Sequence, residues 1–322
     1  MRFLAILFFL AFTSCALKEK EPEQQKFAIA IHGGAGTLRP ENFTDSLKNL
    51  YLAKLEEAVK AGYDILKTGG RAEDAVIASI NLLEDSPLFN AGRGSVLTNQ
   101  GTIEMDAAIM LGDSLRAGAV AGIKYIKNPI KAAKLVLTES PHVLLTGEGA
   151  IEFCVENGLE TKDSAYFYVT RRVEQLKNKK SRDNKFGTVG CVALDQYGNL
   201  VAGTSTGGMT NKKFGRVGDV PVIGAGTYAN NNSCAVSATG HGEYFIRNVV
   251  AHDISSRMLY LNESLEEAAN HLMFEVLKPQ GGGGGVIAID KEGNISMPFN
   301  TTGMYRASID IHGNLQVAIF KD

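Results

Sequence analysis

Gly187-Thr188-Val189-Gly190-Cys191-Val192-Ala193-Leu194 is the stretch on which the reading of this 322-residue chain turns. An apolar strand opens at Val189, directly after the polar, charged run Lys177-Asn178-Lys179-Lys180-Ser181-Arg182-Asp183-Asn184-Lys185. A threonine at the junction of a loose loop and a buried strand is placed to become a new N-terminus if the Gly187–Thr188 bond is cut. Thr188 would then carry a hydroxyl nucleophile and an α-amine base on one residue. With an unperturbed pKa of about 7.7–8.0, much of that amine is neutral near physiological pH and takes the hydroxyl proton without a histidine. The stretch predicts a self-cleaving threonine amidohydrolase.

Composition agrees with a folded enzyme and excludes several other classes. Forty-four per cent hydrophobic residues and 35 glycines fit a well-buried, loop-rich globular protein rather than a disordered chain. A formal net charge of −2 gives no electrostatic case for nucleic acid. The Lys/Arg cluster of 171–185 includes Glu174 and Asp183 and reads as a solvated helix end and linker. Cys154, Cys191 and Cys234 form no CxxC or CxxxH pattern, and three thiols cannot make a disulfide framework. The six histidines show no paired metal-ligand spacing.

The first residues read as a targeting segment. Arg2 precedes the apolar run Phe3 to Phe12, too short for a membrane span and of the length of a signal-peptide core. Thr13-Ser14-Cys15 resembles the lipobox of bacterial lipoproteins, which makes 1–15 the signal and Cys15 the lipidated residue. Simple cleavage after Ala16 is the alternative. The charged stretch 16–26 is a polar tether. The expected location is outside the bacterial cytoplasm, in the periplasm, with the membrane engaged only through the lipid at Cys15.

Along the body of the chain, Phe27-Ala28-Ile29-Ala30-Ile31 predicts a buried strand running into the glycine loop His32-Gly33-Gly34-Ala35-Gly36. Apolar residues at helical spacing (Leu47, Leu50, Tyr51, Leu55, Ala58, Val59, Ile65, Leu66) predict a helix over 44–68, stopped by Gly69-Gly70. A second helix is expected over 72–84, strands near 102–111 and 117–124, and helices near 129–138, 146–157 and 164–178. After Thr188 strands dominate, with helices near 242–259 and 263–276. Val192–Leu200 echoes Ile287–Ile295, each a strand, an Asp-x-x-Gly-Asn turn and a return strand. Either one sheet is built twice or two generic hairpins share the same turn chemistry. The pattern suggests an α+β fold with two sheets packed between helical layers.

Amide cleavage by a threonine needs oxyanion donors, a group that orients the hydroxyl and anchors for the substrate. Thr206-Gly207-Gly208 ends the strand expected to pair with that of Thr188, which puts Thr206 beside the nucleophile. Thr239-Gly240-His241-Gly242 offers a hydroxyl and a glycine N–H at one strand-to-helix turn, a pair suited to an oxyanion hole. Arg216-Val217-Gly218-Asp219 sets opposite charges three residues apart, one for a carboxylate and one for an ammonium, as an α-amino acid end requires.

Taken together these blocks resemble the plant-type asparaginases, or isoaspartyl peptidases, within the N-terminal-nucleophile hydrolases. The resemblance rests on His32–Gly36, Leu88-Phe89-Asn90-Ala91-Gly92-Arg93-Gly94, Gly187–Gly190, Thr204–Gly208, Gly215–Asp219 and Ser237–Glu243. It implies an αββα sandwich, autocleavage before Thr188, and a homodimer of αβ units. One subunit would span 27–187, with the polar linker 177–187, and the other 188–322. It implies Thr188 as nucleophile and base, Thr206 as its orienting partner, and Thr239 with the Gly240 N–H as oxyanion donors. Arg216 would hold the substrate α-carboxylate and Asp219 the α-ammonium, with Gly242 nearby and Asn90 shaping the site. It implies no catalytic cofactor, and a structural sodium ion on backbone carbonyls of Leu83, Glu84, Ser86, Phe89, Ala91 and Arg93.

The expected reactions are cleavage of the chain at Gly187–Thr188, then hydrolysis of the β-amide of L-asparagine or of β-aspartyl peptides. A glycosylasparaginase-like amidase is the nearest alternative, although such relatives typically carry Asp where this chain has Gly187. A lipid-anchored binding protein that never cuts itself is the alternative from another class. Gly281 to Gly285 lacks the lysine of a phosphate-cradling loop.

Overall fold

The computed structural model describes residues 26–178 and 187–321. The signal segment, Cys15 and nearly all of the polar tether lie outside the described residues, as does most of the linker before Gly187.

Alternation along the strands explains the architecture. Strands β1 (Ala28–Gly36), β2 (Met105–Leu111), β3 (Ala117–Ile123) and β4 (Leu144–Thr146) precede Thr188. Strands β5 (Val189–Leu194) and β6 (Leu200–Thr206) follow it. Next come β7 (Thr227–Ala229), β8 (Cys234–Gly240), β9 (Gly284–Asp290) and β10 (Ile295–Ser296). The chain ends with β11 (Gly303–Ile309) and β12 (Leu315–Phe320). One sheet has eight strands in the order β12-β11-β1-β5-β6-β2-β3-β4, and the other four, in the order β10-β9-β8-β7.

In β1, Ile29 and Ile31 join one hydrophobic core while Ala28 and Ala30 join another. In β8, Ala235 faces the large sheet while Cys234, Val236 and Ala238 face helices. Period-two alternation therefore divides the interior into three cores, which is what two sheets between two helical layers require. The inter-sheet core is rich in small residues (Ala28, Ala30, Ala202, Ala229, Ala235), so the sheets approach closely. Full burial of a side chain such as Ile31 contributes about 1.5–3 kcal/mol, and all three cores draw on that term.

Helices α1 (Asp45–Lys67), α2 (Ala72–Glu84), α3 (Pro129–Glu139) and α4 (Gly147–Glu156) cover the outer face of the large sheet. Thr44 starts α1 by accepting from the Leu47 N–H at 3.2 Å. Short helices α5 (Ser164–Phe167) and α6 (Thr170–Lys177) follow. Then come α7 (Gly242–Arg247), α8 (Val250–Leu261) and α9 (Leu265–Asn270), with α8 and α9 packed on the small sheet. Ser264 and Glu267 close a capping box at the start of α9. The αββα sandwich is as expected. Among the described residues no helix is long and apolar enough to cross a membrane.

Several local expectations need correction. The helix expected over 164–178 divides, because Tyr168 and Val169 are extended; aromatic and β-branched residues hold a helix weakly, and Tyr168 instead bonds to the Gly101 carbonyl. The helix expected over 242–259 breaks at Val249, whose φ is +46°. The helix near 263–276 ends in a π turn, His271–Leu277. Leu50 is exposed despite its helical spacing. The strand near 102–111 begins only at Met105, and β4 takes Thr146 from the start of the next helix. The echoed hairpins lie in different sheets, β5–β6 in the large one and β9–β10 in the small one. The same turn occurs a third time, with Asp310 accepting from the N–H groups of His312 and Asn314. Asp195 and Asp290 do likewise in the first two hairpins. The motif is Asx-turn chemistry.

Candidate active site

The large sheet interleaves strands from both sides of Gly187. Strand β5 lies between β1 and β6, and β6 pairs with β2. A cut at that bond would leave two chains sharing one sheet. Val189 sits opposite Ser205 in the β5–β6 pairing, which brings the next residue, Thr206, to Thr188.

Thr188 is buried, and its Oγ1 donates toward the Gly187 carbonyl at 2.8 Å and toward Thr206 Oγ1 at 3.2 Å. The Gly187 carbonyl also accepts from Asn90 Nδ2 at 2.7 Å and from Thr206 Oγ1 at 3.1 Å. Thr206 is fixed in turn by the Gly208 N–H at 2.9 Å. Asn90 is held through Gly208 O at 2.7 Å and through the Val96 N–H, which donates to its Oδ1 at 2.9 Å. A bulge in β1 after His32 brings Gly34, at φ +111°, against this bond. A Cβ there would stand 2.9 Å from Gly187 Cα, too close for any side chain.

Thr239 is the penultimate residue of β8, and its hydroxyl accepts from the Ala35 N–H at 3.3 Å. That contact uses a lone pair and leaves the Thr239 proton to donate. Gly240 follows at the strand end, and α7 begins at Gly242.

At the other end of the site Arg216 and Asp219 lie in one loop, each with different surroundings. Arg216 forks onto Glu243, with Nε to Oε1 at 3.0 Å and Nη2 to Oε2 at 3.1 Å. Asp219 is buried, and its Oδ2 has no hydrogen-bond partner. Burial, reinforced by the negative charges of Glu243 and Asp106, pushes its carboxyl up to about 7 against the opposing effects of its own backbone N–H and Arg216. A Cβ on Gly242 would lie 2.7 Å from Asp219 Oδ1 and 2.9 Å from Arg216 Nη2. Gly242 thus leaves open the space between the two charges. On Glu243, burial is the largest influence and opposes ionisation, but the Arg216 hydrogen bonds, its own backbone N–H and the charges of Arg216 and His241 together outweigh it and lower the carboxyl.

Sequence reasoning passed over three groups here. His32 is fully buried, and desolvation holds its imidazole neutral, lowered to about 3, despite its bond to the Thr188 carbonyl at 3.1 Å. Glu243 follows the Gly240-His241-Gly242 turn and forks with Arg216. Asp106 is buried, accepts from the Gly122 N–H, and is raised chiefly by desolvation against the opposing charges of Lys212 and Arg216. The signal available for all three was a charged or titratable residue inside an otherwise apolar or glycine-rich run.

The 83–94 loop was expected to hold a cation on backbone carbonyls. The oxygens of Ser86 and Pro87 each lie 3.0 Å from where a Cβ on Gly94 would stand, and Phe89 O crowds the same point. Outward-facing carbonyls are taken by side chains: Leu88 O by Tyr51 and Arg171, and Gly94 O by Arg172 at 2.7 Å. A cluster of inward carbonyls is the donor set that a hard cation accepts. Ser86 O and Phe89 O are of that kind, whereas Pro87 O accepts from Arg171, and Leu83 O and Ala91 O accept from the N–H groups of Ser86 and Gly94.

The arrangement has parallels among known proteins. The sequence profile of the asparaginase family matches residues 25–319. The isoaspartyl peptidase of Escherichia coli (strain K12) is 48% identical over 296 residues, covering 88% of this chain and 92% of that protein. The isoaspartyl peptidase of Salmonella typhimurium is 47% identical, with 88% and 95% covered. The isoaspartyl peptidase/L-asparaginase of Xenopus laevis is 43% identical over 291 residues, with 88% and 92% covered. With its buried threonine pair and its Arg216–Asp219 loop set in this frame, the chain belongs to the asparaginase family.

Proposed function

We propose that this chain cuts itself between Gly187 and Thr188 and then uses Thr188 to hydrolyse the β-amide of β-aspartyl peptides and L-asparagine. The protein is an amidohydrolase, and its relatives' names favour the isoaspartyl peptidase and asparaginase activities over a glycosylasparaginase or a binding protein. The observation that carries the self-cleavage reading is the convergence of Thr188 Oγ1, Thr206 Oγ1 and Asn90 Nδ2 on the Gly187 carbonyl.

In the first reaction Thr188 Oγ adds to the Gly187 carbonyl carbon. The oxygen gains charge as the C–O bond forms, and Asn90 and Thr206 donate to it. Collapse breaks the C–N bond, the departing nitrogen taking up the proton that Thr188 Oγ gave up, and leaves an ester on Thr188 with a free α-amine; water then hydrolyses the ester. The products are a chain ending at Gly187 and one beginning at Thr188 with a free α-amine. In the second reaction that amine takes the Thr188 hydroxyl proton as the oxygen attacks the substrate β-carbonyl. Thr239 Oγ1 and the Gly240 N–H receive the oxyanion. Ammonia or an amino acid leaves with a proton, and water releases aspartate.

Arg216 holds the α-carboxylate and Asp219 the α-ammonium. The partnerless Asp219 oxygen and the lack of a side chain at Gly242, whose Cβ would crowd both Asp219 Oδ1 and Arg216 Nη2, support that assignment. A sodium ion on the carbonyls of Leu83, Glu84, Ser86, Phe89, Ala91 and Arg93 would fix the loop that carries Asn90. We further propose the lipid anchor at Cys15, a periplasmic location, and pairing of two αβ units.

The test is intact-mass analysis and denaturing electrophoresis of wild type beside Thr188→Ala. Two wild-type fragments, one starting at Thr188, and a single uncut mutant chain are expected. A wild type that stays whole and inactive on β-aspartyl-leucine would overturn the reading. Turnover of N-acetylglucosaminyl-asparagine in preference to β-aspartyl-leucine would favour the glycosylasparaginase alternative.

A further inference from the structure

Four buried polar side chains lie between the two sheets in a core otherwise built largely of alanine and aliphatic residues. His32 Nδ1 lies 3.1 Å from the Thr188 carbonyl, and His32 Nε2 lies 3.0 Å from Ser237 Oγ. Ser237 Oγ is 2.7 Å from Thr204 Oγ1, which is 2.7 Å from Thr227 Oγ1. Thr227 Oγ1 also lies 3.1 Å from the carbonyl of Val220, the residue after Asp219. All four side chains are fully buried. Each step crosses between sheets, from β1 to β8, back to β6, and on to β7.

Strand register sets up the line. His32 faces Gly190, and Gly190 faces Thr204, in adjacent pairings of the large sheet. Thr227 faces Ser237 in the small one. A Cβ on Gly190 would collide with both Ser237 Oγ and His32 Nε2, so this glycine makes room for the first link.

Proton accounting gives the line one direction. The Thr188 carbonyl has no proton to give, so His32 Nδ1 donates. A neutral imidazole then accepts at Nε2, and Ser237 must donate to it. Ser237 has spent its proton, so Thr204 donates to Ser237 and Thr227 donates to Thr204. Thr227 then has no second proton for the Val220 carbonyl, and the tie to the Asp219 loop is the neighbouring Gly226 N–H, which donates to the Asp219 carbonyl at 3.1 Å. The hydroxyl order itself is fixed from Thr227 to His32 and the Thr188 carbonyl.

We propose that His32, Ser237, Thr204 and Thr227 form a proton-ordered chain that positions Thr188 against the loop carrying Asp219, an inference that rests on the hydrolase reading above. These are positioning residues; none touches the substrate. Truncating one link frees the rotors on both sides, so self-cleavage and turnover both suffer.

The test compares Thr204→Val, which keeps shape but removes the hydroxyl, with Thr204→Ser, which restores it. Ser255→Ala serves as a control, because it breaks a separate buried hydroxyl pair with Ser233 at 2.7 Å. Self-cleavage is followed by intact mass, kcat and KM on β-aspartyl-leucine, and folding by Tm. Thr204→Val is expected to slow self-cleavage and lower kcat by about tenfold or more, with Thr204→Ser within about twofold of wild type. Ser255→Ala is expected to lose Tm without slowing either reaction. Wild-type rates in Thr204→Val, failure of a folded Thr204→Ser to rescue, or equal slowing by Ser255→Ala would overturn the chain. If Thr204→Val does not fold, Thr227→Val removes only the terminal hydroxyl; the same slowing is expected, and unchanged rates would overturn the proposal. A wild type that neither cuts itself nor hydrolyses the dipeptide removes the hydrolase reading as well, whereas an active wild type with an indifferent Thr204→Val removes the chain alone.

Discussion

The two ends of the site are built on opposite electrostatic plans. Around Thr188 every group is neutral and hydrogen-bonded: Thr206, Asn90 and His32 each have two or more polar partners. Around Asp219 the groups are charged, and one carboxylate oxygen has no partner at all. The first end is organised before any ligand arrives, as transition-state stabilisation demands. The second is left incomplete, and a ligand bearing both an ammonium and a carboxylate would complete it. Breaking the two ends separately should therefore give different phenotypes.

Thr188→Ala is expected to have the largest effect. It removes nucleophile and base together, so no self-cleavage and a loss of activity of about 10⁴-fold or more are expected. Residual cutting of the mutant at Gly187, read by intact mass, would mean that another group attacks that carbonyl.

Asp219→Asn breaks the other end. Leaving the substrate ammonium without its buried counter-charge is expected to cost about 10²–10³-fold in kcat/KM, mostly through KM. Self-cleavage involves no ammonium and should proceed at the wild-type rate. A mutant that stays uncut would show that the two ends are not separable in this way.

The difference between the ends also marks what the sequence discloses. Thr188, Thr206, Arg216, Asp219 and Thr239 could be picked out because their side-chain chemistry suits a role and they sit at strand ends or in glycine loops. The orientation of Asn90 and the place of His32 could not. They depend on a β1 bulge and on cross-sheet contacts such as His32 to Ser237, 205 positions apart. Glu243 is equally silent, since nothing local says that Arg216 will turn to it rather than to Asp219. In the fold, the long amphipathic segments α1 and α2 were legible from periodicity, which in α1 agrees with the Thr44 cap. The break at Val249 was not, because a left-handed β-branched residue has no sequence signature.

A smaller effect should appear with pH. Asp219, raised to about 7, must be ionised to hold an ammonium. KM is expected to fall as pH rises through about 7, by up to about tenfold per unit below that point. The stability sign is opposite. The folded state holds a proton that the unfolded chain has already released, so between the ordinary Asp range and about 7 stability declines as pH rises. Asp219→Asn should flatten that part of a Tm–pH curve. A KM that does not vary between pH 6 and 8 would place the Asp219 transition elsewhere.

Glu243→Gln sharpens the comparison with the smallest change. Glu243 occupies the fork of Arg216 that a substrate carboxylate would use, and it raises Asp219 by like-charge repulsion. Its side chain is 45% exposed, so solvent screens much of this and only a few-fold effect is expected. Glutamine keeps a hydrogen-bond acceptor for Arg216 but removes the competing charge. KM should therefore fall by about two- to fivefold at neutral pH, with kcat unchanged. The pH at which KM levels off should move below that of wild type, because one of the charges that disfavours ionised Asp219 is gone. Self-cleavage should not change, since Glu243 makes no contact with the Gly187–Thr188 bond. A rise in KM would mean that the main use of Glu243 is to hold Arg216 in place, which would make the clamp end as preorganised as the nucleophile end.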